Sequence, residues 1–478
     1  MTAPDLPPSL WAATAPPPPE SRPLAGPARA DVAVIGGGFT GLSAALHLAE
    51  GGADTLLLEA GPIGYGASGR NNGQVIPNLS RLDPDDIAAR VTPELGGRDK
   101  GEQLVGLIRD SASLVFDLIR RHGIEAEAVQ NGWMQPAHRP SRMALVRKRA
   151  EQWGRRGAPV RLLDKAEVAA LSGSEFWDGG WENRTGGRIN PLGFARGLAA
   201  AAIGAGARLH TGSPATAITR EGPSWRITTP SGEVVASRII LASHAYTPPG
   251  LWPGFERSMV PVRSYQMATA PLSDNLRRSI LPQGHALSDT QGDLHFFRFD
   301  AAGRLVTGGG LILPMGWDNR IRRRIAVRVE RVFPQLGPVR FSHAWWGLHR
   351  CHRRQGAASL RAGAGRAGLE RLQWPRRGAG DGAGAGDGAR QPGHAAARDR
   401  GAGGEPAAHR AAWLRAAGRR LEPGAVPLEG WPRLSAAGQG AAPPVWPGPS
   451  TGPGDKRQAL CWSGAASLFS VMYLGRPI

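Results

Sequence analysis

Two cysteines, Cys351 and Cys461, are all that the 478 residues contain, which excludes a disulfide scaffold and a cysteine-rich zinc site. No run of about 18 apolar residues occurs, so no membrane-spanning helix is expected. The first residues lack the charged and apolar stretches of a secretory signal. There is no internal repeat, and no residue pair has a dependable metal-ligand spacing, so no metal is expected. Aromatic residues are sparse at 6%, whereas 41% of residues are hydrophobic, enough for a sizeable core in two or three domains. The expectation is a cytoplasmic protein.

The charge is lopsided. A net of +19 ordinarily points to nucleic acid or an anionic surface. Residues 348–478 hold 19 Lys+Arg against 8 Asp+Glu, a net of +11, and residues 1–347 hold 39 against 31, a net of +8. The excess belongs mostly to the tail. Its arginines lack the regular repeat and interleaved aromatics of an RNA-binding segment, and no nucleic-acid partner is expected.

Residues 1–28 form a proline-rich leader, expected to lie loosely over the surface. From Ala30 onward, short apolar runs alternate with alanine- and leucine-rich stretches, an α/β texture. Strands are expected at Val32–Ile35, Thr55–Glu59, Arg226–Thr229, Ile239–Ala242 and Leu305–Thr307. Helices are expected to start near Thr40, Gly101, Lys165, Pro191 and Asn319.

Asp31-Val-Ala-Val-Ile35 reads as a buried strand that runs into Gly36-Gly37-Gly38-Phe39-Thr40-Gly41 and then a helix. This is the G-x-G-x-x-G pattern in its strand–turn–helix setting. Gly36 permits the tight turn, Gly38 lets a pyrophosphate approach the backbone, and Gly41 lets helix and strand pack closely. The helix start offers free N–H groups to phosphates. A second strand ends in Glu59-Ala60, where an acid can accept from ribose hydroxyls. The glycine-rich segment Gly64–Gly73, with Ser68, Gly69, Arg70, Asn71, Asn72 and Gly73, favours FAD over NAD. Its small residues admit an extended cofactor, and Arg70 can neutralise a pyrophosphate.

The block Asp31–Glu59, the loop Gly66-Ala-Ser-Gly-Arg-Asn-Asn-Gly-Gln-Val75 and Gly187-Arg-Ile-Asn-Pro191 resemble the D-amino-acid oxidase/glycine oxidase superfamily of FAD enzymes, over about residues 8–347. Within it the likeness is greatest to the gamma-glutamylputrescine oxidoreductase-like group. The resemblance implies a Rossmann-like three-layer α/β FAD-binding domain from about 29–90 and 150–250. It implies an α+β substrate domain with a mixed sheet from about 91–149 and 251–347. Ala217 would contact the adenine, and Ala242 would close over the phosphates. His244 stands where the superfamily usually has glycine. The implied reaction oxidises the C–N bond of an amine or amino acid by hydride transfer to flavin, with oxygen or another acceptor taking the electrons. Arg298, after Phe296-Phe297, is the expected ligand for an anionic substrate group, and Tyr265 and His295 are weaker candidates for the pocket lining. No acid–base pair is required, because the flavin carries the chemistry.

The tail changes texture. Residues 348–478 contain 24 glycines and 27 alanines, one threonine, no asparagine, and isoleucine only at the last position. A sheet needs β-branched residues, so the segment reads as low-complexity and disordered. Plausible GC-rich codons for Leu369 to Arg377, read one nucleotide later, give WNGCNGRGVA. The same shift on Leu348 to Pro375 gives CIAVTADRAPRLSGLAPGVLAWNGC. The family closes its flavin site with a segment resembling Asn-Gly-x-x-Gly-Arg-Gly, which this chain has only in the shifted frame. The expectation is a chain out of frame from about residue 348, a remnant with impaired FAD binding.

Overall fold

The computed structural model describes residues 5–352, except 80, 81, 254, 256–258, 294 and 312–315. Residues 348–352, expected to open the low-complexity tail, instead finish a strand, and the rest of that tail lies outside the described residues.

Strands in the first half are β1 (Gly26–Ile35), β2 (Thr55–Leu58), β3 (Gln74–Val75), β4 (Trp133–Pro136), β5 (Val160–Leu163), β6 (Gly180–Asn183), β7 (Gly187–Arg188) and β8 (Arg208–His210). The second half adds β9 (Ala217–Glu221), β10 (Ser224–Thr229), β11 (Gly232–Leu241), β12 (Met259–Pro271), β13 (Ala286–Ser288), β14 (Phe296–Phe299), β15 (Arg304–Gly309) and β16 (Phe341–His352). The helices are α1 (Leu10–Thr14), α2 (Phe39–Glu50), α3 (Pro84–Ala89), α4 (Gly97–His122), α5 (Met143–Gly154), α6 (Lys165–Ser172), α7 (Pro191–Gly204), α8 (Asp274–Ser279) and α9 (Trp317–Val332).

Local chemistry sets several of these boundaries. Asn190 caps α7 by accepting from Gly193 N at 3.1 Å, with Pro191 at the first helical position. Asp164 and Glu167 form a reciprocal capping box on α6. α4 carries Arg120, Arg121 and His122 in its last turn and stops at Gly123, whose φ of 60° is left-handed.

A six-stranded sheet has the order β8-β2-β1-β11-β10-β9. β1 is parallel to β2 on one side and to β11 on the other, so the strand order reverses at the carboxyl end of β1. Open α/β sheets bind ligands at such a reversal. α2 and α7 cover one face, burying Phe39, Leu42, Leu46, Phe194 and Leu198 against Val32, Val34 and Leu57.

An eight-stranded mixed sheet has the order β16-β12-β15-β14-β13-β4-β6-β5. Its alternating side chains sort onto two faces. Tyr265, Met267, Phe297 and Leu305 pack under α9 against Ile321 and Ile325. Ala268, Val306 and Trp345 pack the other way, against α1 and Leu192 of α7. That second face looks toward α7 and the six-stranded sheet.

Two expectations are corrected. β6 pairs with β4 on one side and β5 on the other, so residues 160–183 belong to the second sheet and not to the six-stranded one expected to bind the cofactor. The leader is built into the fold from Ser9 onward. Leu10 and Trp11 are fully buried, Ser21 Oγ donates to Leu209 O at 2.9 Å, and Leu24 N donates to Ser213 Oγ at 2.8 Å. Apolar burial at one short helix, followed by side-chain anchors, holds a segment whose composition reads as loose.

Candidate active site

The turn after β1 is shaped by what it cannot hold. Gly36 has φ 114°, and a Cβ there would lie 2.8 Å from the carbonyl carbon of Ala242. Ala242 N donates to Ile35 O at 2.8 Å, which fixes that approach. A Cβ on Gly41 would run into the Gly36 carbonyl, and one on Gly38 would sit 2.9 Å from Ser68 Oγ. Gly38 opens α2 without a side-chain cap. Ser68 Oγ accepts from Phe39 N at 2.9 Å, and the N–H groups of Thr40 and Gly41 have no intrahelical acceptor in the first turn. A helix start with free donors and a partial positive charge is an anion site.

Glu59 closes β2 beside this turn. Its Oε2 accepts from Gly37 N at 2.5 Å and its Oε1 from Gly61 N at 2.8 Å. Burial raises its pKa above the usual carboxylate range, opposed by backbone N–H groups of Gly61, Gly37 and Ala60. Each carboxylate oxygen keeps a further lone pair for a hydroxyl donor. The residues placed beside Glu59 are His210 and Ser213: Glu59 N donates to His210 O, and Ser213 N to Glu59 O, both at 2.9 Å. Ala217, expected at the adenine, is instead exposed at the start of β9 on the outer edge of the sheet, paired with Thr228. The segment crosses from β8 to β9, and only its first part stays near the turn.

The loop Gly64–Gly73 continues the site. Asn71 organises it from within: Nδ2 donates to Ser68 O at 2.8 Å, and Oδ1 accepts from Gly73 N at 2.8 Å. Gly69 N donates to Gly64 O at 3.1 Å. Arg70 is 6% exposed, yet its Nε and Nη2 have no hydrogen-bond partner. Its guanidinium lies 4.6 Å from the ring centre of Tyr65 and 5.7 Å from that of Tyr246. Asn72 is 4% exposed, with both amide atoms unpartnered. Gln266 Oε1, on the sheet face that looks toward this half, is likewise unpartnered. Burying polar groups without partners costs roughly 1–3 kcal/mol each. Donors and acceptors left open beside a glycine cradle and a helix start fit a dinucleotide whose polar groups complete them.

Three expected substrate ligands lie elsewhere. Arg298 is fully buried and donates to three carbonyls: Nε to Asn72 O at 2.7 Å, Nη1 to Phe299 O at 3.0 Å and Nη2 to Ile189 O at 3.0 Å. Its pKa is pushed down to about 9 by burial. It ties the interior together, each of its three nitrogens donating to a backbone carbonyl. Tyr265 stacks on Trp317 of α9, with ring centres 5.3 Å apart. His295 lies against Phe176 at 5.8 Å and 3.6 Å from Asp289. Both sit on the sheet face turned away from the glycine cradle. His244 takes φ 42°, the left-handed conformation that a glycine adopts freely.

Sequence reading missed Trp11, Tyr65, Tyr246, Trp345 and Gln266. Tyr246 Oη accepts from Leu348 N at 3.0 Å, and Trp345 Nε1 donates to Arg70 O at 2.9 Å. Fifteen tryptophans in a chain that is only 6% aromatic were the available signal. No group of His, Cys, Asp or Glu among the described residues is arranged to hold a metal, and no described helix is long and apolar enough to cross a membrane.

Residues 31–371 match the family described as DAO, FAD dependent oxidoreductase. Gamma-glutamylputrescine oxidoreductase of Escherichia coli (strain K12) is 32% identical over 318 residues, 66% of this chain and 73% of that protein. A probable oxidoreductase, OrdL, of Rhizobium meliloti (strain 1021) is 33% identical over 341 residues, 71% and 77% of the two chains. The fold resembles that of L-proline dehydrogenase from P. horikoshii, with TM-score 0.56 at 16% identity over 67% of this chain and 82% of that one. Glycine oxidase from Geobacillus kaustophilus gives TM-score 0.54 at 21% identity over 68% and 84%. With that match over most of its length and relatives at 32–33% identity, the chain belongs to the DAO family of FAD-dependent oxidoreductases.

Proposed function

We propose that this chain oxidises the C–N bond of a small amine or amino acid to an imine, which water then hydrolyses. The observation that carries the reading is the set of unpartnered buried polar atoms on Arg70, Asn72 and Gln266 beside the glycine cradle. FAD, when bound, supplies the two-electron acceptor. Gly36, Gly38 and Gly41 admit the pyrophosphate to the start of α2, and Glu59 takes the ribose hydroxyls. Ser68, Gly69, Asn71 and Gly73 keep the second loop narrow. Arg70 sets a positive charge toward the anionic parts of the cofactor, steadied by Tyr65 and Tyr246. Asn72 and Gln266 offer an amide and a carbonyl to the polar groups of cofactor or substrate. Relatives named for gamma-glutamylputrescine and glycine support amines and amino acids as the substrate class.

The test is a visible spectrum of purified protein, followed by anaerobic addition of gamma-glutamylputrescine, glycine or proline. Loss of the flavin band near about 450 nm with one of them is the expected result. A bound flavin that none of a broad amine and amino-acid panel reduces would sink the proposal. Reoxidation by air against reoxidation by a dye then identifies the acceptor.

A second reading rests on the tail. We infer that the coding frame shifts near residue 348, because residues 348–478 are glycine- and alanine-rich with almost no β-branched residues and the alternative frame supplies Asn-Gly-Cys-Asn-Gly-Arg-Gly. Restoring that frame is expected to strengthen flavin retention. Equal flavin content in the two proteins would refute it.

A further inference from the structure

Three successive carbonyls of the cofactor loop each accept from a buried side chain that comes from a different part of the chain. Trp345 Nε1 of β16 donates to Arg70 O at 2.9 Å, Trp11 Nε1 of α1 to Asn71 O at 2.8 Å, and Arg298 Nε of β14 to Asn72 O at 2.7 Å. The donors also touch one another. The Arg298 guanidinium lies 4.6 Å from the Trp11 ring centre, and Trp11 meets Trp345 edge-on at 5.7 Å. The next carbonyl, Gly73 O, accepts from Ile189 N at 2.8 Å. All three donors are nearly or wholly buried, where a hydrogen bond is stronger than in water.

With these carbonyls drawn toward the second sheet, the polar heads of Arg70 and Asn72 are left without protein partners. α1 is itself anchored for this task. Thr14 Oγ1 accepts from Asn190 Nδ2 at 3.1 Å, and Arg196 donates to the carbonyls of Ala15 and Pro16.

We propose that Trp11, Arg298 and Trp345 are positioning residues that hold the loop in its FAD-binding shape before FAD arrives. A loop ordered in advance loses less conformational freedom when the ligand binds, and affinity rises accordingly. The α1 wedge therefore belongs to the cofactor site through the loop it holds. The inference rests on the reading of Gly64–Gly73 as the FAD-contacting loop.

The experiment uses the full-length chain without added FAD. Trp11→Phe keeps a ring in place and removes the N–H. Amide exchange is followed at Gly69, Arg70, Asn71 and Gly73, with the amides of α9 as the reference. The expected result is exchange about tenfold faster in the loop and unchanged in α9, the size of change that one lost hydrogen bond gives. FAD affinity, read from quenching of flavin fluorescence, falls by a similar factor. Trp345→Phe is the second variant should Trp11→Phe fold poorly, and Arg298→Lys is expected to recover part of what Arg298→Met loses. Loop exchange at the wild-type rate in a folded Trp11→Phe protein overturns the proposal. Arg70→Gln separates the two claims. Unchanged FAD affinity in that variant removes the loop from the cofactor site, whereas the exchange result judges the positioning role by itself.

Discussion

Arg70 gives two effects of opposite sign from one substitution. Its Nε and Nη2 are buried without partners, and each unmet donor costs roughly 1–3 kcal/mol in the ligand-free protein. Against that stand two cation–π contacts, at 4.6 Å to Tyr65 and 5.7 Å to Tyr246, worth about 0.5–2 kcal/mol each for a buried cation. Arg70→Met keeps an unbranched stem of similar length and removes both. The ligand-free protein is then expected to gain about 1–2 kcal/mol, raising Tm by roughly 1–3 °C. FAD binding moves the other way. Losing a hydrogen bond from a charged donor costs roughly 1.5–3 kcal/mol, so Kd should rise about 10–100-fold. Thermal melts with and without FAD, joined to a fluorescence titration, read both. A variant that melts lower without FAD and binds FAD as tightly as the wild type refutes the reasoning.

Other substitutions test other parts of the site. Gly41→Ala drives a Cβ into the Gly36 carbonyl and is expected to cost about 2 kcal/mol or more, read as a lower Tm together with lost flavin. His244→Gly should stay within about 0.5 kcal/mol of wild type, while His244→Val should lose roughly 1–2 kcal/mol, because φ 42° burdens a β-branched residue and not a glycine. Asp289 and His295 oppose each other in pH dependence. Burial raises Asp289 from 3.8 to about 6, so its stabilisation is present below the unfolded value and is lost as pH rises through about 6. Burial lowers His295 from 6.5 to about 2, so its stabilisation is present above 6.5 and is lost as pH falls. Between 4 and 6 the two slopes cancel. Over that range the stability of Asp289→Asn should rise more steeply with pH than that of wild type, and that of His295→Phe should rise less or fall. A pH slope equal to wild type in both variants would discard the pair as a source of pH dependence.

The parts of the site legible in the sequence were those fixed by near neighbours. Gly36, Gly38 and Gly41 answer to the geometry of a strand running into a helix, and Asn190-Pro191 announces the start of α7. What the sequence hid depends on distance and on facing. Arg298 sits on the correct face of its strand, yet its donors are taken by Asn72, Ile189 and Phe299, partners that no spacing reveals. Tyr265 and Gln266 are neighbours on β12 and point to opposite faces of the sheet, and nothing local says which face meets the cofactor. Residues 160–183 were placed with the FAD-binding domain by a boundary the resemblance implied, whereas the pairing of β5 and β6 with β4 is a long-range contact that no local signal names. The leader was read from its prolines, while its fate was decided by Leu10 and Trp11.

The three carbonyl anchors also set an order of events during synthesis. Trp11 precedes its partner Asn71 by 60 residues, whereas Arg298 follows Asn72 by 226 and Trp345 follows Arg70 by 275. At a synthesis rate of about 5–20 residues per second, Trp345 emerges roughly 15–55 s after the loop it secures. Until Arg298 emerges, Trp11 is the only one of the three donors already made. The glycine turn waits only for Ala242, whereas the full set of anchors on the second loop waits for β16.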